Sequence, residues 1–418
     1  MSKRHLCIDL DDPEIGEIHS ARELTSKRPF LARCSGLLAE HNQPLLGRCS
    51  GLFAESETTK RPFLGGCSGH TATLPEQQQR KYLFLVLNDW DRGYSIYRVG
   101  EDDFDADASL NAPRPAVSLL VRIVAQHAYS RSFASHGTKI MAMYPAESSP
   151  GIPAFDTNTM GMTVCPCPMS RGHCGSKPLY ASVSGRLLAF VYPFLEVLGP
   201  EPPPTEESWS WISMEPMPPF ESTLVNSYVV HPDGRTIFVS VKGYKLNPGL
   251  SLPFRGDQNS TFTFDMESHK WTHIGDWLLP FKGQAYYDQE LDAWVGLCFY
   301  KKGAGHICCC DVPPATGCMT MPVWKLGVDI FFDVNSKRHL GTTLVYMDNS
   351  RFCLVESSTP KDDDFYPRLR LVKMTSFQLK YGKEGELRVS GRCTYASMAY
   401  QIPHEHVDVT LNPVAFWM

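Results

Sequence analysis

No stretch of the 418-residue chain approaches the roughly 20 apolar residues needed to cross a bilayer; the best run, Leu187–Leu198, is broken by Pro193 and Glu196. The start, Met1-Ser2-Lys3-Arg4-His5-Leu6-Cys7 followed by Asp9, Asp11 and Asp12, lacks the apolar centre of a secretory leader. A soluble intracellular protein, cytoplasmic or nuclear and without a membrane partner, is therefore expected. Positive charge is scarce as well. With 40 basic against 45 acidic residues the formal charge is −5, and no nucleic-acid footprint stands out. Helical periodicity is nearly missing: Val117–Ala128 is the one passable amphipathic stretch, and its β-branched residues suit a strand equally well. Catalytic signatures are missing too. No Gly-x-Ser-x-Gly elbow occurs, since Val183-Ser184-Gly185 lacks the flanking glycine, and neither a phosphate-cradling glycine loop nor a dinucleotide fingerprint is present. No cofactor is expected.

What the chain does have is a recurring β-hairpin signal. It reads Leu83–Val99 around Asn88-Asp89-Trp90-Asp91-Arg92-Gly93, Thr138–Asp156 around a Pro/Ser/Gly-rich turn, and Leu179–Tyr192 around Ser184-Gly185. It continues with Val225–Val241 around Pro232-Asp233-Gly234, Gln284–Cys298 around Asp288–Asp292, and Thr342–Glu356 around Asp348-Asn349. Aromatic and β-branched runs bounded by turn formers are strands, because such side chains fill a pleated, half-buried surface. The mean spacing of about 52 residues lies just above the period of known propeller repeats.

A second recurrent element follows four of the hairpins: an alternating strand ending at an Asp turn, then an aromatic, then a proline-bearing crossover. Phe262-Thr263-Phe264-Asp265 leads through Trp271 to Pro280-Phe281, Ser208-Trp209-Ser210-Trp211 to Pro219-Phe220, Cys308-Cys309-Cys310-Asp311 to Trp324, and Phe155-Asp156-Thr157 to Pro166 and Pro168. These supply the outer strands of four-stranded blades, with proline excluded from central strands because it donates no ladder hydrogen bond. The expected fold is all-β: a single β-propeller over residues 81–418, six blades preferred and seven possible, with residues 384–402 as closing strand. Trp271, Trp294 and Trp324 are expected to pack between blades.

Residues 1–80 differ. They carry an imperfect repeat, Lys27-Arg28-Pro29-Phe30-Leu31-Ala32-Arg33-Cys34-Ser35-Gly36-Leu37, then Gln43-Pro44-Leu45-Leu46-Gly47-Arg48-Cys49-Ser50-Gly51-Leu52, then Lys60-Arg61-Pro62-Phe63-Leu64-Gly65-Gly66-Cys67-Ser68-Gly69. Too few apolar residues lie between them to offset the entropy of ordering, so a disordered segment is expected.

Further motifs, Phe133–Met143, Ser260–Asp265 with Trp271, Gly275–Ala285, Glu290–Leu297 and Arg338-His339-Leu340-Gly341, resemble a family expanded in grasses and catalogued as a plant domain of unknown function, number 1668. The resemblance spans about residues 81–400. It implies a kelch-like β-propeller and no established activity, so it brings no catalytic residues. The chain departs from ordinary kelch repeats in lacking paired glycines before the outer strands, and the N-terminal repeats lie outside the family pattern.

Candidate sites are few. Cys165, Cys167, His173 and Cys174 offer four soft ligands within ten residues, the kind zinc takes. Against zinc, the Cys-x-Cys pair is expected to splay to opposite strand faces, and the spacing is too tight for a lone knuckle. In Cys308-Cys309-Cys310 the outer two thiols share one face and Cys309 takes the other, as core residues do. His404-Glu405-His406 and Asp362-Asp363-Asp364 read as solvated loops. The 14 cysteines follow no disulfide framework and are expected as thiols. Trp90 and Arg92 share one polar turn, the usual composition of a recognition hot spot. The expected function is a non-enzymatic protein-binding scaffold, its face built from Trp90, Arg92 and the Leu195–Ser208 and Asn247–Ser260 loops. The competing reading is a propeller-type enzyme with a metal- or sugar-binding channel.

Overall fold

The computed structural model describes residues 80–100, 104, 117–124, 133–143, 151–169, 178–191, 193–203, 209–245, 254–255, 258–317, 320–360, 368–394, 398–402 and 412–418. The N-terminal repeats, His173, Cys174, Asp362–Asp364, His404 and His406 lie outside these described residues. Strands dominate what is described, joined by two three-residue 3-10 turns, Ser222–Leu224 and Lys301–Gly303.

The strands form antiparallel meanders in chain order. The first contains β1 (Tyr82–Trp90), β2 (Gly93–Gly100) and β3 (Ser118–Val124), and the second β4 (Phe133–His136), β5 (Lys139–Ala142), β6 (Gly151–Asp156) and β7 (Gly161–Pro166). The third holds β8 (Leu179–Val183), β9 (Arg186–Val191), β10 (Phe194–Leu198) and β11 (Trp211–Met214). In the fourth, β12 (Val225–Val230), β13 (Thr236–Lys245), β15 (Gln258–Asp265) and β16 (Lys270–Gly275) follow one another, with a stub, β14 (Phe254–Arg255), beside β13. The fifth is β17 (Gly283–Asp288), β18 (Ala293–Leu297), β19 (His306–Cys310) and β20 (Trp324–Ile330). The sixth is β21 (His339–Tyr346), β22 (Arg351–Ser358), β23 (Leu369–Tyr381) and β24 (Leu387–Thr394), with β25 (Met398–Gln401) on the early part of β23. The last strand, β26 (Val414–Trp417), crosses back to pair antiparallel with β1, from Leu83 opposite Trp417 to Val86 opposite Val414.

Alternation explains how each run is buried on both faces. In β1, Leu83, Leu85 and Leu87 pack with Val345, Cys353, Val355 and Val372 of the sixth meander. The intervening Phe84 and Val86 pack with Ile140, Ala142 and Phe155 of the second. Successive side chains of a strand point to opposite faces, so a continuous apolar run feeds two cores at once. The same arrangement joins the second meander to the third, the third to the fourth, the fourth to the fifth and the fifth to the sixth. Each fully buried Leu, Phe or Val contributes about 1.5–3 kcal/mol relative to exposure. Two parallel contacts add main-chain links: β12 with β17 at Ser227–Val229, and β20 with β24 at Gly327 beside Leu387.

Three expectations are corrected. Residues 387–394 and 398–401 are neighbours of β23, and the strand that returns to β1 is 414–417, not 384–402. Long-range pairing decides this, and local pattern carries no record of it. Next, all six hairpins form, but those at Leu83–Val99 and Thr138–Asp156 occupy the second and third strands of their meanders, whereas the other four occupy the first and second. Finally, Pro153 sits in β6, a central strand. It falls at the end of the ladder with β5, which closes at Met141 opposite Ala154, so its missing N–H costs only a terminal bond.

The tryptophans pack as expected. Trp294 is fully buried between the fourth and fifth meanders with Phe238 at 4.9 Å, Trp271 lies edge-on to Phe190 of the third at 5.9 Å, and Trp324 stacks on Tyr300 at 5.2 Å. Val117–Ala128 resolves in favour of a strand, with β3 covering Ser118–Val124. Ser184 and Gly185 both have positive φ, 52° and 66°, the pair of left-handed conformations a tight two-residue hairpin requires.

Candidate binding site at the Trp90 turn

The turn joining β1 to β2 grows from an irregular ladder. Pairing runs regularly to Leu87 opposite Ser95, then jumps to Trp90 opposite Gly93, so Asn88 and Asp89 bulge from the strand. Asp89 Oδ2 accepts the Tyr97 hydroxyl, while its Oδ1 is buried with no hydrogen-bond partner among the described residues. Burial, and then the Asp89 carboxylate, push the Tyr97 hydroxyl well above its ordinary pKa, so it stays a donor. Trp90 is half-buried, with the Arg122 guanidinium of β3 5.7 Å from its ring centre. Asp91 and Arg92 project into solvent.

A small cavity opens beside this turn, where the first, second and sixth meanders meet. Asn88, Phe133, Ser357, Tyr400 and Asn412 line it among others, with about 30 Å³ of space for water-sized molecules. That volume holds about two waters, or the tip of one side chain, and is far below the several hundred Å³ of a small-molecule pocket. Burial raises the pKa of the Tyr400 hydroxyl, against the pull of Arg370 and Ser357, so it too is a neutral donor.

Contacts trace which residues share this end. Tyr94, next to the turn, packs edge-on against Phe133 at 4.9 Å, which places the start of β4 here. The other end of β4 carries His136, whose Nε2 lies 2.8 Å from the Gly199 carbonyl. Gly199, where the link between β10 and β11 begins, therefore belongs to the opposite end, as the alternating connections of a meander require; residues 204–208 of that link lie outside the described residues. The expected face combining Trp90 and Arg92 with Leu195–Ser208 is thus split, and Leu195–Leu198 is strand, not loop. Of the Asn247–Ser260 loop, residues 247–253 and 256–257 lie outside the described residues.

The opposite end holds a cluster that sequence reasoning missed. Lys139, only 7 % exposed, donates to Glu201, lies 3.5 Å from Asp156 and sits over the Trp209 ring. Trp209 stacks on His136 and donates to the Gly199 carbonyl at 3.0 Å. Burial acts to lower the Lys139 pKa, and the two carboxylates more than reverse it. No local signal could have found this set, because its members come from two meanders.

Cys165 and Cys167 face the same core, that between the second and third meanders, rather than splaying apart. Residues two apart on a strand share a side. Burial pushes the Cys165 thiol up to about 11, against the pull of Lys139, so it is protonated at neutral pH. Among the described residues no three His, Cys, Asp or Glu side chains are grouped to hold a metal ion. Cys308 and Cys310 enter the core between the fourth and fifth meanders and Cys309 that between the fifth and sixth, and burial raises all three thiols.

The family model described as protein of unknown function DUF1668 matches residues 80–394, three quarters of the chain. The chain belongs to the DUF1668 family. No curated protein matches it. Among solved structures, it is similar to two proteins described as candidate 6-phosphogluconolactonases. The one from Bacteroides uniformis has 9 % identity, 81 % of this chain and 100 % of that chain covered, and TM-score 0.41; the one from Bacteroides fragilis has 12 %, 76 %, 83 % and 0.39. A periplasmic gluconolactonase of Pseudomonas aeruginosa aligns at 11 % identity over 77 % of this chain and 100 % of that chain, with TM-score 0.35. At such identity nothing of those proteins' chemistry carries over to this DUF1668 chain.

Proposed function

We propose that this DUF1668 protein is a non-enzymatic, intracellular protein-binding scaffold whose six meanders close as the blades of a kelch-like propeller, with the Trp90 end as recognition face. The ring reading is supported by the succession of cores, which links each meander to the next and the sixth back to the first, and by β26 completing the first meander. The recognition reading rests on one observation. Trp90 and Arg92 stand partly or fully exposed beside a cavity that accepts only a side-chain tip, the size of feature a protein partner fills and a sugar or cofactor does not.

Replacing Trp90 and Arg92 together by alanine tests this. Binding partners captured by the native chain are expected to be lost from the double variant, and retention of every one of them counts against the Trp90 face. Metal analysis of the purified full chain discriminates the enzyme reading: stoichiometric zinc, copper or iron favours a channel site over the scaffold.

A further inference from the structure

We propose that the free edge of β7 accepts an extended, uncharged segment of a partner protein as a fifth strand of the second meander. Strand β7 ends the order β4-β5-β6-β7 and has no strand on its outer side among the described residues. The ladder with β6 fixes which main-chain groups face outward. Thr157 N–H bonds the Thr138 carbonyl, toward β5, so residues two and four positions earlier, Phe155 and Pro153, also direct their main-chain groups away from β7. Their partners across the ladder are Met162 and Val164. These pairs exchange no hydrogen bonds, and the N–H and C=O groups of Met162 and Val164 point to the open edge.

The side chains agree with that assignment. Met162 is 47 % and Val164 73 % exposed, spaced two apart as an added strand needs. The edge is also uncharged: from Thr157 to Ser170 the sequence has no Asp, Glu, Lys or Arg, in a chain that is 20 % charged. Other outer strands are guarded. β3 carries Arg122 and β16 carries Lys270, while β20 is joined to β24 and its Asp329 takes the Val389 N–H. β11 is uncharged but has four residues, and the Trp211 indole donates to the Pro166 carbonyl at 2.9 Å, which ends the open part of β7. An exposed apolar edge without charge is a template on which another chain pairs.

The occupant follows from size and charge. A second copy held by one six-residue edge falls well short of the ~1,200 Å² of a stable dimer, whereas a peptide needs only main-chain pairing and two apolar contacts. A charged residue opposite Met162 or Val164 loses solvation without a counter-charge, which selects an uncharged segment.

The probe is a synthetic peptide of alternating Thr and Val with one lysine at each end, added to the full chain. Amide exchange at Met162 and Val164 is expected to slow at least ~10-fold at saturation, with a dissociation constant of roughly 0.1–1 mM. Val164→Lys is expected to weaken binding at least ~10-fold at unchanged melting temperature, as is N-methylation of alternate peptide amides. Met162→Lys serves the same purpose if Val164→Lys unfolds. No protection at about 5 mM peptide, or binding indifferent to both changes, overturns the proposal. A concentration-dependent dimer of the native chain that Val164→Lys dissolves also overturns it, in favour of a second copy.

Discussion

The two ends of the meanders are built differently. At one end, neighbouring turns are tied together: the one Ser350 hydroxyl proton is shared between Asp288 Oδ1 at 2.7 Å and Glu290 Oε2 at 3.1 Å, Ser184 Oγ donates to the Gly234 carbonyl at 2.7 Å, and Lys139 to Glu201. Lys81 at the start of β1 pairs with Asp348 there as well. At the other end, the Trp90 turn exposes Asp91 and Arg92 to solvent beside a cavity. Polar groups engaged with a neighbouring turn hold the sheets in place and are spent on stability, whereas groups left at a solvated turn remain available to a partner.

The sharpest way to break this contrast is Lys139→Ala. It leaves Asp156 and Glu201 facing each other without their cation, and is expected to cost about 2 kcal/mol in urea unfolding. An effect below about 0.5 kcal/mol means the tied end is not stabilising. Ser350→Ala removes the hydroxyl that Asp288 and Glu290 share across the fifth and sixth meanders and leaves the fully buried Asp288 with one donor fewer, the Leu291 N–H being retained, for an expected loss of about 1–2 kcal/mol, measured the same way.

Acid titration sharpens the contrast further. Burial raises the Asp233 and Asp156 carboxyls, but hydrogen bonds outweigh it: Thr236 and the Arg235 N–H hold Asp233 below the usual carboxylate range, and Asn158, Thr138 and Thr159 do the same for Asp156. A folded pKa below the unfolded one stabilises the fold above the unfolded value, near 4, and that contribution is lost as pH falls through the folded value. Urea midpoints are therefore expected to drop between pH 5 and pH 3, and to drop less in Asp233→Asn, since both carboxyls sit in turns of the tied end. The smallest expected effect is at the Trp90 end: Trp90→Ala with Arg92→Ala changes stability by about 0.5 kcal/mol or less while abolishing partner capture.

Much of this was legible locally. The six hairpins lie where turn formers interrupt alternating runs, because hairpin pairing needs only neighbours in sequence and the right turn chemistry. The split of Cys308-Cys309-Cys310 between two cores followed from the same alternation. Less of the site was legible. Trp90 and Arg92 stood out as a Trp and an Arg in a polar turn, but Tyr97, Arg122 and Tyr400 join them only because three strands and a distant meander converge. The expected face failed at Leu195–Ser208 because loop length says nothing about which end of a sheet a loop leaves from.

The sequence by itself determined the strands, their turns and the two-sided burial of each run, since these rest on interactions within a few residues and on a side-chain period of two. The tertiary structure alone decided that Val414–Trp417 completes the first meander, that Lys139 meets Glu201, and that β7 has no strand on its outer side among the described residues. Those outcomes depend on which distant surfaces bury each other, a competition among many possible pairings whose winner is set by total buried area and satisfied hydrogen bonds.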